Sequence, residues 1–115
     1  IGIRVFGCEH QEVAKSYNDI GNVYGAQGEY ENALLQHQKS LEIRTRVLGC
    51  DSVEAATSYN NIGTDYEKQG DCENALRQYN KSLEIFIRLL GCENEKVAMS
   101  YNNIGCVYLA QGDYE

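Results

Sequence analysis

The chain has 115 residues, 43% of them hydrophobic and 23% charged, which is the composition of a soluble globular domain of ordinary size. Ten basic against seventeen acidic side chains give a net charge of −7, a field that repels phosphate backbones and anionic bilayers and so argues against nucleic-acid and membrane partners. No apolar run approaches the roughly 20 residues of a membrane span, and the start Ile1-Gly2-Ile3-Arg4 carries no initiator Met, signal or targeting pattern. The chain reads as a soluble, cytoplasmic polypeptide and as a piece of a longer one.

Compared with itself at a shift of 42 residues, the chain matches at 24 of 42 positions between residues 7–48 and 49–90, and a third copy opens at Gly91. Residues 1–6 match the end of a repeat, as in Ile43-Arg44-Thr45-Arg46-Val47-Leu48, and are expected to close the second helix of a preceding one. Residues 7–48 form the first repeat, 49–90 the second, and 91–115 a partial third with one helix and the start of another. Neither end has the polar face of a capping element, so a fragment of a longer array is expected.

Within the first repeat, Val13, Tyr17, Ile20, Gly21 and Tyr24 recur at spacings of three and four, predicting helix A over residues 11–26 with one buried stripe. His10, Ser52 and Asn94 stand just before this helix in the three copies, and Ser and Asn there can accept bonds from unpaired N–H groups of the first turn. Gly28, Gly70 and Gly112 stop it, because glycine tolerates the left-handed conformation of a helix end. Glu29, Asp71 and Asp113 follow, acidic residues at the positive end of a second helix. Helix B is predicted over 30–48, with Ala33, Leu34, Leu41 and Leu48 inward and Glu31, Gln36 and Glu42 on a solvated face; Gly49 and Gly91 end it.

Such short connections force antiparallel hairpins. A hairpin with apolar surface on both flanks must stack on its neighbours, so a core running continuously along the array is expected. The fold class is all-α, an α-α superhelix of stacked helical hairpins. Gly21, Gly63 and Gly105 sit inside helix A, where glycine costs about 1 kcal/mol relative to alanine. Their common register predicts close approach of a partner helix beside Ala33 and Ala75.

The repeated set Tyr17, Ile20-Gly21, Tyr24, Gly28-Glu29-Tyr30 and Ala33, with Tyr59, Ile62-Gly63, Tyr66, Gly70-Asp71 and Ala75, and again Tyr101, Ile104-Gly105, Tyr108 and Gly112-Asp113-Tyr114, resembles the tetratricopeptide repeat. The period of 42 in place of 34, without proline, is similar to the kinesin-light-chain-like subclass. The resemblance implies an α-solenoid that binds protein or peptide partners in a concave groove lined by its A helices.

On a helical wheel the side of helix A opposite Tyr17 carries Lys15, Asp19, Asn22 and Ala26, flanked by Asn18. In the second repeat these positions are Thr57, Asn61, Thr64 and Lys68, flanked by Asn60, and in the third Met99, Asn103, Cys106 and Ala110, flanked by Asn102. Asparagine offers donors and an acceptor, so the row can hold an extended peptide backbone without reading its sequence. The alternative for Asn18, Asn60 and Asn102 is that they satisfy backbone groups between adjacent helices. Only Lys15 and Lys68 are cationic on this face, few for gripping an acidic motif or a terminal carboxylate.

The five cysteines show no metal-ligand spacing, and Cys8, Cys50 and Cys92, one repeat apart, lie too far from each other for disulfides. They read as small, partly buried hydrophobes in a reducing cytosol. His10 at a helix start and His37 in the place of Tyr79 have structural explanations. With no strand-linked phosphate loop and no carboxylate pair in a cleft, no catalytic constellation, metal site or cofactor is expected. The expected function is a non-catalytic protein-interaction scaffold; the alternatives are a sensing or autoinhibitory array of a larger enzyme or signalling ATPase, and a structural spacer or self-associating array.

Overall fold

Among the described residues four glycines with positive φ punctuate the chain, and the helices lie between them. The computed structural model describes the backbone of residues 2–49 and 51–111 and the side chains of residues 11–49 and 51–111. Five helices follow in order: α1 (Gly2–Ala26), α2 (Tyr30–Leu48), α3 (Val53–Lys68), α4 (Cys72–Leu90) and α5 (Glu95–Ala110), with no strand among the described residues. Gly28 at φ 81° and Gly70 at φ 85° let the next amide turn back onto the helix just ended, Glu29 N–H to the Tyr24 carbonyl and Asp71 N–H to the Tyr66 carbonyl, both at 2.9 Å. Gly112, Asp113 and Tyr114, expected to open the third helix B, lie outside the described residues, as does Cys50.

Three helices open on a side-chain cap, whereas Glu29 before α2 makes no such bond. The Ser52 Oγ accepts from Ala55 N–H at 3.0 Å, the Asp71 carboxylate from Asn74 N–H at 3.3 Å, and the Asn94 Oδ1 from Lys96 N–H at 2.8 Å. Ser52→Ala is expected to lower stability by about 1 kcal/mol, read as a shift of the urea midpoint at constant slope. The first repeat departs from the register: α1 is continuous from Gly2, so residues 2–6 belong to the same helix as residues 11–26, not to a separate preceding one. His10 lacks the short side-chain oxygen with which Ser52 and Asn94 open α3 and α5, so the sequence there offers no cap to restart a helix.

The helices pack in chain order, α1 with α2, α2 with α3, α3 with α4 and α4 with α5, giving a slab of 55 × 34 × 18 Å. The predicted buried stripe holds best for an inner helix. Ile62 of α3 is 3% exposed, whereas Ile20 of α1, one repeat earlier, is 45% exposed and Val13 43%. α3 is packed on both flanks, and α1 on one.

The two hairpin junctions differ in chemistry, which corrects the expectation of a continuous apolar core. Between α4 and α5 the buried groups are apolar: Phe86 packs in one cluster with Val97 and Ala56, and Tyr79 in another with Val107 and Ala75. Between α2 and α3 the aligned positions are polar, with His37 for Tyr79, Arg44 for Phe86 and Asp65 for Val107. Buried His37 and Asp65 are hydrogen-bonded to each other, and the Arg44 guanidinium donates to the Ser58 hydroxyl at 2.8 Å and to the Glu54 carbonyl at 3.1 Å. Directed bonds thus hold the first junction where apolar burial holds the second.

The close-approach glycines Gly21 and Gly63 meet the partner helix expected, but against a ring and not beside the alanines. A Cβ on Gly63 would lie 2.8 Å from the Tyr79 ring, and one on Gly21 2.7 Å from the His37 ring. The alanines at 33 and 75 are buried but lie one turn earlier. Side chains lean toward the N-terminus of their helix, so the ring four residues later covers the glycine. At Gly105 a Cβ would meet nothing within 4 Å among the described residues.

Candidate functional site

The A-helix face acquires its shape from two amide bridges. Asn61 Nδ2 on α3 donates to Asn18 Oδ1 on α1 at 2.7 Å, and one repeat on Asn103 Nδ2 on α5 donates to Asn60 Oδ1 on α3 at 2.8 Å. These bonds run between side chains of successive A helices, not to backbone groups. Each bridge uses one N–H of the donor amide and the oxygen of the acceptor amide. Left over for a ligand are the NH2 of Asn18 and Asn60 and the carbonyl oxygen of Asn61 and Asn103.

The Asn18–Asn61 bridge divides the crevice between α1 and α3 into two pockets. One, of about 300 Å³, has Lys15, Asn18 and Asp19 of α1 facing Arg44 and Glu54. Burial pulls the Arg44 pKa down, opposed by Glu54 and Asp19, but a guanidinium still stays charged in the physiological range. The other, of about 210 Å³, is lined by Gly21, Asn22 and Gly25 of α1, Tyr30 and His37 of α2, and Asn61, Thr64, Asp65 and Lys68 of α3. Eight predicted groove residues, namely Lys15, Asn18, Asp19, Asn22, Asn61, Thr64, Lys68 and, through its bridge to Asn103, Asn60, are therefore tied to this face.

The remaining predicted residues are less committed. Thr57 turns its hydroxyl back to the Val53 carbonyl at 2.9 Å, so its methyl is what it offers outward. Met99, Asn102 and Cys106 are exposed on α5, and Asn103 is half-buried in its bridge. Cys72 packs partly buried beside the Tyr79 cluster, as expected, but Cys92 is exposed, since it follows Gly91 in a loop where nothing covers it.

His37, Asp65, Gly25 and Tyr30 are pocket residues that sequence reasoning passed over. The visible signal was Asp65, an acid standing where Val23 and Val107 stand. Its Oδ2 is bonded to His37 Nδ1, and His37 Nε2 lies 3.0 Å from Asn22 Oδ1. Burial raises the Asp65 carboxyl above its ordinary range, opposed by the His37 hydrogen bond and its charge. In the next repeat Tyr79 takes the place of His37: its hydroxyl donates to Glu67 Oε1 at 2.8 Å and lies 3.0 Å from Thr64 Oγ1, and burial pushes its pKa well up, so it stays protonated.

The imidazole of His37 has both nitrogens engaged and is 3% exposed. Among the described residues no group of three His, Cys, Asp or Glu side chains could hold a metal ion, and no helix is long and apolar enough to cross a membrane.

Comparison with known proteins places the chain. The tetratricopeptide repeat family model matches residues 1–46, 12–87 and 54–115 in overlapping windows that together take in the whole chain. A search of curated proteins finds no match. The crystal structure of BtubC (BKLC) from P. vanneervenii superposes with a TM-score of 0.81 at 28% identity, covering 89% of this chain and 41% of that one. The chain thus spans about two-fifths of that relative. The crystal structure of the TPR domain of Arabidopsis FLU superposes with a TM-score of 0.80 at 20% identity, covering 91% of this chain and 85% of that one, a likeness of fold.

Proposed function

The chain belongs to the tetratricopeptide repeat family, in its kinesin-light-chain-like form, and from that premise we propose that it is a non-catalytic scaffold binding a peptide or partner helix of another protein along its A-helix groove. The observation that supports this reading most is the pair of amide bridges. A bridge that only fastened two helices would be served by any matched pair, whereas these two repeat in register and leave a donor and an acceptor open at each step. An extended peptide backbone presents the complementary acceptor and donor, and the pockets beside the bridge receive its side chains. Lys15, Asn18, Asp19, Asn22, Thr57, Asn60, Asn61, Thr64, Lys68, Met99, Asn102, Asn103 and Cys106 form the proposed contact surface, with varied side chains on a constant frame encoding specificity.

Asn61→Ala combined with Asn103→Ala is expected to weaken partner binding about tenfold or more, at roughly 1 kcal/mol per hydrogen bond. Calorimetric titration measures it, with circular dichroism confirming unchanged helicity. Because the same residues brace the stack, Met99→Asp serves as a second variant: it is exposed, enters no bridge, and places a charge in the groove. Affinity unaltered in both variants would remove the groove assignment.

A further inference from the structure

Gly21 and Gly63 each lie under an aromatic ring of the helix that follows, His37 and Tyr79, so close that a Cβ would stand 2.7 Å and 2.8 Å from it. Gly105 holds the same register on α5 and has no neighbour within 4 Å among the described residues. Around it the face stays open: Tyr101 is 58% and Tyr108 41% exposed, and Ala98 is exposed as well. We propose that this face pairs, antiparallel, with the same face of a second copy, making the chain a reversible symmetric dimer.

Ala98, Tyr101, Gly105 and Tyr108 follow one another at spacings of 3, 4 and 3, which sets them in one stripe along the helix, small and large in alternation. Ala98 and Tyr108 each stand five positions from residue 103, and Tyr101 and Gly105 each stand two. An antiparallel partner whose two-fold axis is level with residue 103 therefore lays every tyrosine on a small residue of the other copy, Tyr101 over Gly105 and Tyr108 over Ala98. Symmetry makes each contact twice. A parallel pair in register would set ring on ring and glycine on glycine. Ring over glycine is the contact that the chain already makes within both of its hairpins, so the second copy continues an established packing.

Charge points to the same face. Each copy carries −7, so two copies approach most readily where neither brings a charged group. From Val97 to Gln111 α5 has no charged side chain, whereas the aligned stretch of α3 has Asp65, Glu67 and Lys68, and that of α1 has Lys15 and Asp19. Asn103, bonded to Asn60, lies on the other side of α5, so the groove stays free in the pair. Four tyrosines, each about half exposed, hide roughly 400 Å² across the pair. Even with their small neighbours this falls short of the about 1,200 Å² of a tight complex, so a dissociation constant on the order of 100 µM is expected.

Sedimentation equilibrium of the full chain under reducing conditions tests the pairing, with circular dichroism confirming the helicity of each variant. A monomer–dimer equilibrium is expected. Gly105→Ala, which steadies the single chain in dilute solution, is expected to weaken the dimer about tenfold by placing a Cβ beneath the partner's Tyr101. Ala98→Leu and Tyr108→Ala are each expected to weaken it to a similar degree. The two together are expected to recover most of the loss, because large and small then trade places at both ends of the stripe. Met99→Asp, on the groove side of α5, is expected to leave the dimer unchanged. A chain that stays monomeric to about 1 mM overturns the proposal. A dimer indifferent to Gly105→Ala, or losses at 98 and 108 that simply add, overturn it as well. NMR contacts from Tyr114 to Gly105 in a monomeric chain would give the face to the chain's own following residues. Association beyond two copies, abolished by Ile20→Asp, would seat α1 of the next copy there; either result contradicts the symmetric pair.

Discussion

Gly63→Leu is expected to destabilise the chain by about 3 kcal/mol, near the upper end of what overpacking a well-filled site costs. Even the first carbon of a side chain at this position would lie 2.8 Å from two atoms of the Tyr79 ring. The ring cannot retreat freely, because it is 1% exposed, packed against Ala75 and Val107, and held at its hydroxyl by Glu67 and Thr64. Urea unfolding reads the loss. Gly105→Ala supplies the contrast: the same register, no neighbour within 4 Å among the described residues, and so an expected gain of up to about 1 kcal/mol from helix propensity. Equal effects at the two sites would show that ring contact is not what selects glycine.

The first hairpin junction should respond as a coupled pair. Asp65→Val alone leaves His37 buried without its partner, an expected loss of about 3 kcal/mol. Adding His37→Tyr reproduces the apolar pairing of Tyr79 with Val107, and Gly21 already leaves the space over which a ring lies. The double variant is expected to return to within about 1 kcal/mol of the parent or to exceed it, so that the double-mutant cycle, completed by His37→Tyr alone, shows strong coupling in place of additivity. Additive losses would contradict the pairing. The pH profile gives a second readout. Because burial raises the Asp65 carboxyl, the folded chain keeps a proton that the unfolded chain has released. This group's contribution is therefore greatest in acid and declines as pH rises from about 4 through the elevated folded value. The double variant should lack that decline.

The parts of the fold that depend on backbone chemistry were legible in the residues. Glycine at the helix ends announces a positive φ, Ser52 and Asn94 announce caps, and the period of the apolar residues announces which face is buried. What depends on a meeting of distant side chains was not. A helical wheel places Asn18 and Asn61 on the same kind of face but says nothing of their bond, which joins positions 43 apart. Asp65 is visibly out of place in an apolar register, yet its compensation by His37 lies 28 residues away in another helix. The register alone predicted a new helix near residue 11, and it did not weigh that His10 cannot cap one.

The central claim is that another polypeptide lies along the A helices and not along the outer faces of α2 and α4. A photo-reactive residue placed at Thr64 or Met99, compared with one at Arg77 on α4, tests it directly in the full chain within its own cells. Adducts to a protein partner from positions 64 and 99, reduced by Asn61→Ala with Asn103→Ala and absent from position 77, are the predicted result. Adducts confined to position 77 would contradict it.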